Sequence, residues 1–130
     1  MDILHPPGWA RPKGYSNGIS ASGRMVFVSG MVGWDAQERF HAAELVGQVR
    51  QVLANIVAVL GEGGARPEHI VRMNWYLRDK RAYLAAGREI GAAYREIIGK
   101  HYPTMTAIEV SDLIEDAALV EIEVTAVVPE

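Results

Sequence analysis

The chain of 130 residues contains no cysteine. That absence removes disulfide frameworks, thiolate zinc sites, iron–sulfur clusters and cysteine nucleophiles together. It permits a reducing compartment. Charge of one sign is also lacking: 13 Lys and Arg against 16 Asp and Glu give a net charge of -3. No block of Lys or Arg occurs, so an electrostatic footprint for nucleic acid is not supported. No apolar run approaches the roughly 20 residues that span a bilayer. The opening Met1-Asp2-Ile3-Leu4-His5-Pro6-Pro7 lacks a basic segment followed by a long apolar one, so it does not read as a secretory signal. The expectation is one soluble, cytoplasmic domain over residues 1–130 that binds neither membrane nor nucleic acid. A domain of this size buries enough surface to need no covalent staple.

Phosphate-binding glycine loops are missing too. Gly61-Glu62-Gly63-Gly64 follows a helical pattern instead of opening one, and reads as a helix terminus. His5, His41, His69 and His101 share no HxH or HxxxH spacing, so a histidine metal site is not indicated. Ser29 does not sit in a GxSxG nucleophile elbow.

What is present is a clear alternation of periods. Pro6, Pro7 and Pro12 make residues 1–13 an extended N-terminal arm. Residues 15–21 and 25–29 read as two strands of a hairpin around Ser22-Gly23, followed by a loop containing Gly30 and Gly33. Leu45, Val49, Val52, Leu53, Ile56, Val59 and Leu60 recur at helical spacing and predict an amphipathic helix of about five turns. Gly47 inside it costs about 1 kcal/mol relative to Ala, and the sequence shows no reason for it. Val71, Met73, Trp75 and Leu77 alternate with Arg72, Asn74, Tyr76 and Arg78 as a strand. Asp79 is a fitting N-cap for a second helix over 81–98. Its Leu84, Gly87, Gly91, Tyr94 and Ile98 form one stripe. Strands over 104–110 and 119–128 close the chain, with the turn at 112–116. The order is ββαβαββ, which predicts an α+β fold with both helices on one face of a mixed sheet.

The other sheet face then carries Arg72, Asn74, Tyr76, Arg78, Glu121 and Glu123. Leu119, Val127 and one of Ile108 and Met105 join them. That mixture suits either a contact between copies of the chain or a solvated face with a few apolar residues. Glu121, flanked by Val120 and Ile122, is the most informative acid. It could hold a water as general acid and base, or form a structural ion pair with Arg72 or Arg78. Ser29 and the Gly30 N–H end a buried strand and could bind a carbonyl or carboxylate oxygen. Alternatively they are a plain strand terminus. Tyr15 and Trp34 could wall a pocket near that strand end, or pack as ordinary core aromatics.

Six segments together resemble the RidA/YjgF family of reactive intermediate deaminases, also described as L-PSP endoribonuclease-like or translation-inhibitor proteins. Gly14-Tyr15-Ser16-Asn17-Gly18 resembles the family's GPYSQA-type opening. Val26 through Met31 is similar to its vfvSGQ strand. Gln48, Asn55-Ile56, Leu60 and Gly63-Gly64 resemble its first helix and that helix's end. Val71 through Asp79 is similar to its vkttvylkD strand. Tyr102-Pro103 and Ile108-Glu109-Val110 bracket its PaRs motif, and Val120-Glu121-Ile122-Glu123 resembles its veIEa strand. The likeness spans residues 14–128.

The resemblance implies a chorismate-mutase-like fold and a homotrimer with inward-facing sheets. It implies small-molecule sites in clefts between subunits. It further implies hydrolysis of enamines and imines such as 2-aminoacrylate with release of ammonia, without a metal or organic cofactor. In the family an Arg pairs with the substrate carboxylate and a Glu holds the attacking water. Tyr15, Ser29, Gly30 and Glu121 match family site positions. The family Arg falls on Met105, and a frequent site Asn falls on Gly91. A thioether cannot replace a guanidinium clamp. Arg11, Lys13, Arg24, Arg39, Arg72 and Arg78 are candidate substitutes, and Met105 with Trp34 makes the cleft more apolar. The expected function is therefore a divergent family enzyme acting on a small imine, enamine or enol-like ligand. In that reading Glu121 is the acid–base group, and Tyr15, Ser29, Gly30, Trp34 and Met105 contact the ligand. A non-catalytic ligand-binding trimer is the alternative, and an endoribonuclease a more distant one.

Overall fold

The computed structural model describes residues 1–130. Three helices pack on one face of a four-stranded mixed sheet, beside a small two-stranded sheet. The short strands are β1 (Asp2–Leu4) and β2 (Gly18–Ser20), which pair antiparallel with each other. The main sheet contains β3 (Arg24–Val32), β4 (Ile70–Leu77), β5 (Thr104–Glu109) and β6 (Val120–Val128), in the order β3-β6-β4-β5. Only β4 and β5 run parallel. Helix α1 (Leu45–Glu62) joins β3 to β4, and α2 (Lys80–Ala85) and α3 (Gly87–Ile97) join β4 to β5. No helix is long and apolar enough to cross a membrane.

The helix-facing side is the core. Val49, Val52, Leu53, Ile56 and Leu60 of α1 meet Met73, Trp75 and Leu77 of β4 and Val120, Ile122 and Val124 of β6 in one buried cluster. The expected amphipathic stripe and strand alternation supply these residues, because each element presents one apolar face to the same layer. Gly47 has its reason here: a Cβ at that position would stand 2.6 Å from the Cβ of Ala42. Gly64 ends the turn after α1 with φ +70°, the left-handed conformation that favours glycine.

Four expectations from the sequence are corrected. The hairpin of residues 15–21 with 25–29 does not form, because β2 pairs with β1 and β3 pairs with β6. The arm is therefore not wholly extended loop: its first residues supply a strand. The second helix is interrupted at Ala86, whose ψ of 13° leaves the helical well just before Gly87. Asp79 caps its first segment as expected, with Oδ1 accepting from the N–H groups of Arg81 (2.9 Å) and Ala82 (3.2 Å). In β4 the register shifts between Ile70 and Arg72. Val71 is the extra residue, so Ile70 rather than Val71 enters the core. Met105 pairs with Met73 in the parallel register, which puts it on the helix side and leaves Ile108 on the open face beside Tyr76.

One polar side chain is sealed inside. Gln48 is buried. Its Nε2 donates to the carbonyls of Ala42 (3.1 Å) and Ala117 (2.9 Å), and its Oε1 accepts from the Leu119 N–H (2.8 Å). Helix α1 is thereby tied to the residue that leads into β6. Gln48→Ala orphans one buried donor and two acceptors, so the expected loss is about 3 kcal/mol of unfolding free energy. Urea denaturation at fixed protein concentration measures it, and a loss well under about 1 kcal/mol contradicts the role assigned to this amide.

Candidate functional site

Trp34 apart, the sequence-predicted site residues fall into two groups on opposite sides of the sheet. The first lies on the open face. In β3, Val28 pairs with Val124 and Met31 with Ile122, so Ser29 and Gly30 together oppose the single residue Glu123. This is a β-bulge, and Gly30 lies within the strand rather than in the loop expected after it. A Cβ at Gly30 would stand 2.9 Å from the carboxyl carbon of Glu121. Only glycine lets the Glu121 carboxylate lie against the bulge, with the Ser29 residue adjacent.

The neighbouring acid is anchored and Glu121 is not. Glu123 Oε1 accepts from Tyr76 Oη (2.5 Å) and from Asn74 Nδ2 (3.0 Å). These bonds hold the Glu123 carboxyl below the ordinary carboxylate range, the tyrosine contributing most. The same bond pushes the Tyr76 hydroxyl above its usual value of 10.0. The structural ion pair considered for Glu121 is absent. Arg78 instead binds Asp112 Oδ1 (2.7 Å) and the carbonyls of Asp116 (2.7 Å) and Glu115 (3.3 Å), and Arg72 forms no ion pair. Glu121 is half-buried and has neither a hydrogen-bond nor an ion-pair partner.

The second group lines a cleft of about 540 Å³ on the helix side, at the β5 edge. Tyr15 and Met105 meet there with Trp75, Tyr83, Tyr94 and Tyr102. The arm is fastened to this edge by Ser16, whose N–H donates to the Pro103 carbonyl (3.0 Å) and whose hydroxyl donates to the Tyr102 carbonyl (2.5 Å). That pair of bonds delivers Tyr15 to Met105 although 90 residues separate them in sequence. The Tyr94 and Tyr102 rings stack with centroids 5.7 Å apart, and Trp75 meets Tyr83 edge-on at 6.1 Å. Burial raises the Tyr83 and Tyr94 hydroxyls above their usual range, so both act as neutral phenols near pH 7. The cleft also exposes Arg95 and Lys13 along its wall, and Gly91 and Tyr94 of α3 line it as well.

Trp34 belongs to neither group. It pairs with Phe40 across an isolated bridge, ring centroids 5.8 Å apart, and packs on the small cluster of Val32, Leu113 and Ala118. The pocket imagined between Tyr15 and Trp34 is not formed, because the bulge and the end of β3 lie apart from the β5 edge. Sequence reasoning missed Arg95, Trp75, Tyr83, Tyr94 and Tyr102 as cleft residues. Arg95 carried a usable signal: it stands four residues after Gly91, on the face of α3 that the glycine leaves empty. The four histidines are engaged separately, His41 with Asp35 (2.6 Å) and His101 with the Ile70 carbonyl (2.6 Å) among them. No three His, Asp or Glu residues are grouped to hold a metal.

With this geometry in view, comparison with known proteins is direct. A family model described as Endoribonuclease L-PSP matches residues 9–128. A RutC family protein of Pyrococcus horikoshii is 32% identical over 127 residues, 96% of each chain. TdcF of Escherichia coli, which carries the provisional name of reactive intermediate deaminase, is 30% identical over 98% of this chain and 95% of its own. The crystal structure of YyfB from Yersinia pestis, a Rid-family protein of unknown function, superposes with a TM-score of 0.83 at 33% identity, covering 98% of both chains. The chain belongs to the RidA/YjgF family, the L-PSP family of the matching model.

The Tyr76–Glu123 bond makes a pH prediction. A carboxyl lowered in the folded state contributes stability that is present above its unfolded value and lost as pH falls through the folded one. Tyr76→Phe removes the largest cause of the lowering. The expected outcome is an upward move of the Glu123 titration midpoint, followed by carboxyl carbon NMR, and a shallower acid limb of stability. An unmoved midpoint contradicts the assignment.

Proposed function

We propose that this protein is a divergent RidA-like hydrolase of a small imine, enamine or enol-like ligand, working as a cytoplasmic homotrimer without a metal or organic cofactor. One observation carries the reading. Glu121 is the single unpartnered carboxylate on the open sheet face, seated against a glycine bulge beside Ser29. A carboxylate so placed can accept a proton from water as the oxygen attacks an imine carbon. It can then return that proton to the nitrogen to give a carbinolamine, and carry the carbinol hydroxyl's proton to the same nitrogen, so that the C–N bond breaks, ammonia leaves and the carbon becomes a carbonyl. For an enamine, protonation at carbon first gives the imine. The Ser29 hydroxyl and the Gly30 N–H orient the ligand from the bulge. Tyr15 and Met105 line the aromatic cleft, and Trp34 supports the end of β3.

The two groups lie on opposite sides of one sheet, so a second copy of the chain is the natural way to bring a Glu121 to a Tyr15–Met105 cleft. The open face supports such packing. Phe27 is 68% exposed and Ile108 46% exposed there, beside the satisfied Asn74–Tyr76–Glu123 network. A face with exposed aromatic area and internally paired polar groups is suited to contact between like chains.

A second reading rests on Met105. With a thioether where the family places its carboxylate-binding Arg, the cleft reads as a ligand-binding site in a trimer that performs no chemistry. The endoribonuclease description of the family model has less support, since the net charge is -3 and no basic stripe is present.

The deciding experiment supplies imines in situ from an amino-acid oxidase, with both small polar and aromatic amino acids, and follows their hydrolysis. The expected outcome is turnover of aromatic imines that Glu121→Gln lowers by about a hundredfold or more. Turnover unchanged by Glu121→Gln overturns the mechanism. Absence of turnover on every imine gives the protein to the ligand-binding reading.

A further inference from the structure

We propose that Arg95 is the anion-binding residue of the aromatic cleft, and that the cleft takes a ligand with an aromatic body and a carboxylate. The inference concerns what the cleft binds, and it deepens the functional reading by naming the class of ligand.

Three observations converge. First, the charged residues lining the cleft are Lys13 and Arg95, and no Asp or Glu lines it. Neither cation is committed elsewhere: the four ion pairs of the chain involve His41, Arg50, Arg66 and Arg78. The acid next to Arg95 in sequence, Glu96, is held by Arg50 of α1. A concave site walled by one sign of charge favours the opposite sign in its ligand.

Second, the position of the guanidinium depends on a missing side chain. A Cβ built on Gly91 would stand 3.3 Å from Arg95 Nη1. The Arg95 side chain therefore folds back along α3 over the space that any larger residue at 91 would take. This lays the guanidinium along the cleft wall instead of leaving it to extend into solvent. Arg suits the role through its planar set of donors, which matches a carboxylate in two-point fashion.

Third, the floor opposite that wall is apolar and aromatic. Trp75 is buried, and Tyr94 stacks on Tyr102 beside Met105. Flat apolar walls with a thioether accept a ring by stacking and sulfur–aromatic contact. Volume agrees, since about 540 Å³ lies within the range of small-ligand clefts. A ring on the floor and a carboxylate at the α3 wall satisfy all three observations with one molecule.

The test uses two stable probes on the full chain, 3-phenylpropanoate and its uncharged amide, with binding followed by calorimetry near pH 7. The expected result is acid binding at least about tenfold tighter than amide binding. Arg95→Ala should weaken the acid by about tenfold or more and leave the amide unchanged, and Arg95→Lys should recover part of the loss. Because Arg95 is exposed, these variants are expected to fold. Gly91→Val provides a second handle, since branches beyond a Cβ that already stands 3.3 Å from Arg95 Nη1 displace the guanidinium and weaken the acid selectively. Equal binding of acid and amide, no binding of the acid at millimolar concentration, or indifference of the acid to Arg95→Ala each overturns the proposal. Its failure is separable from that of the hydrolase reading. Acid binding that needs Arg95, without any Glu121-dependent turnover, upholds the ligand class and removes the chemistry. Glu121-dependent turnover indifferent to Arg95→Ala does the reverse.

Discussion

The carboxamide of Gln48 is sealed inside an otherwise apolar core, and the placement of the candidate acid follows from it. Both of its N–H donors and its carbonyl oxygen are engaged, so sliding α1 against the segment entering β6 would break three hydrogen bonds. A polar group buried without partners is costly, so the satisfied arrangement is strongly preferred over its neighbours. Strand β6 consequently enters the sheet in one register, and its alternation divides the residues. Val120, Ile122 and Val124 face the helices, while Glu121 and Glu123 face the open side. The bulge at Ser29 and Gly30 then opens room for one of these two acids. Tyr76 and Asn74 occupy the other.

Two adjacent carboxylates on one strand thus have different chemistry. Glu123 is committed to a network and held ionised, which suits a structural or interface role. Glu121 keeps its lone pairs unused, which suits work on a water or a ligand. The aromatic cleft lies beyond the sheet and is built from the arm, β5 and α3. The sheet stands between the two sets, and this separation is what supports the proposal that a second copy of the chain completes the site. In such a design the fold of one chain prepares two half-sites and symmetry joins them.

Much of this was legible in the sequence, and the limits have physical causes. The period-3.6 stripe of α1 and the strict alternation of β4 and β6 come from each element burying one face, so they declared themselves. The Asp79 cap did too, because its chemistry is local. The supposed hairpin failed because residues 18–20 pair with residues 2–4, and the prolines between them hid that pairing. The bulges at Val71 and at Ser29-Gly30 leave no mark in hydrophobic patterning, since they depend on the partner strand. Glu121 was found as an acid at a semi-buried position, but its lack of a partner became visible only when Arg78 proved to be engaged by residues 112–116. Tyr15 was matched by motif and lines the cleft at the β5 edge. Trp34 was expected to wall one pocket with Tyr15 and packs on Phe40 instead, because its distance from Tyr15 is a tertiary fact. Arg95 escaped notice since its role depends on the side chain that Gly91 lacks.

The claim most open to direct attack is that two copies of the chain contribute to each site. Glu121→Gln removes one half, and Gly91→Phe fills the cleft of the other. Each variant alone is expected to be inactive toward aromatic imines. Unfolding and refolding the two together in equal amounts produces mixed oligomers. If a site takes Glu121 from one copy and the cleft from another, random mixing rebuilds about a quarter of the sites and the same fraction of activity. Mixed oligomers that form and regain no activity would show that both halves must come from one chain, and would contradict the shared site.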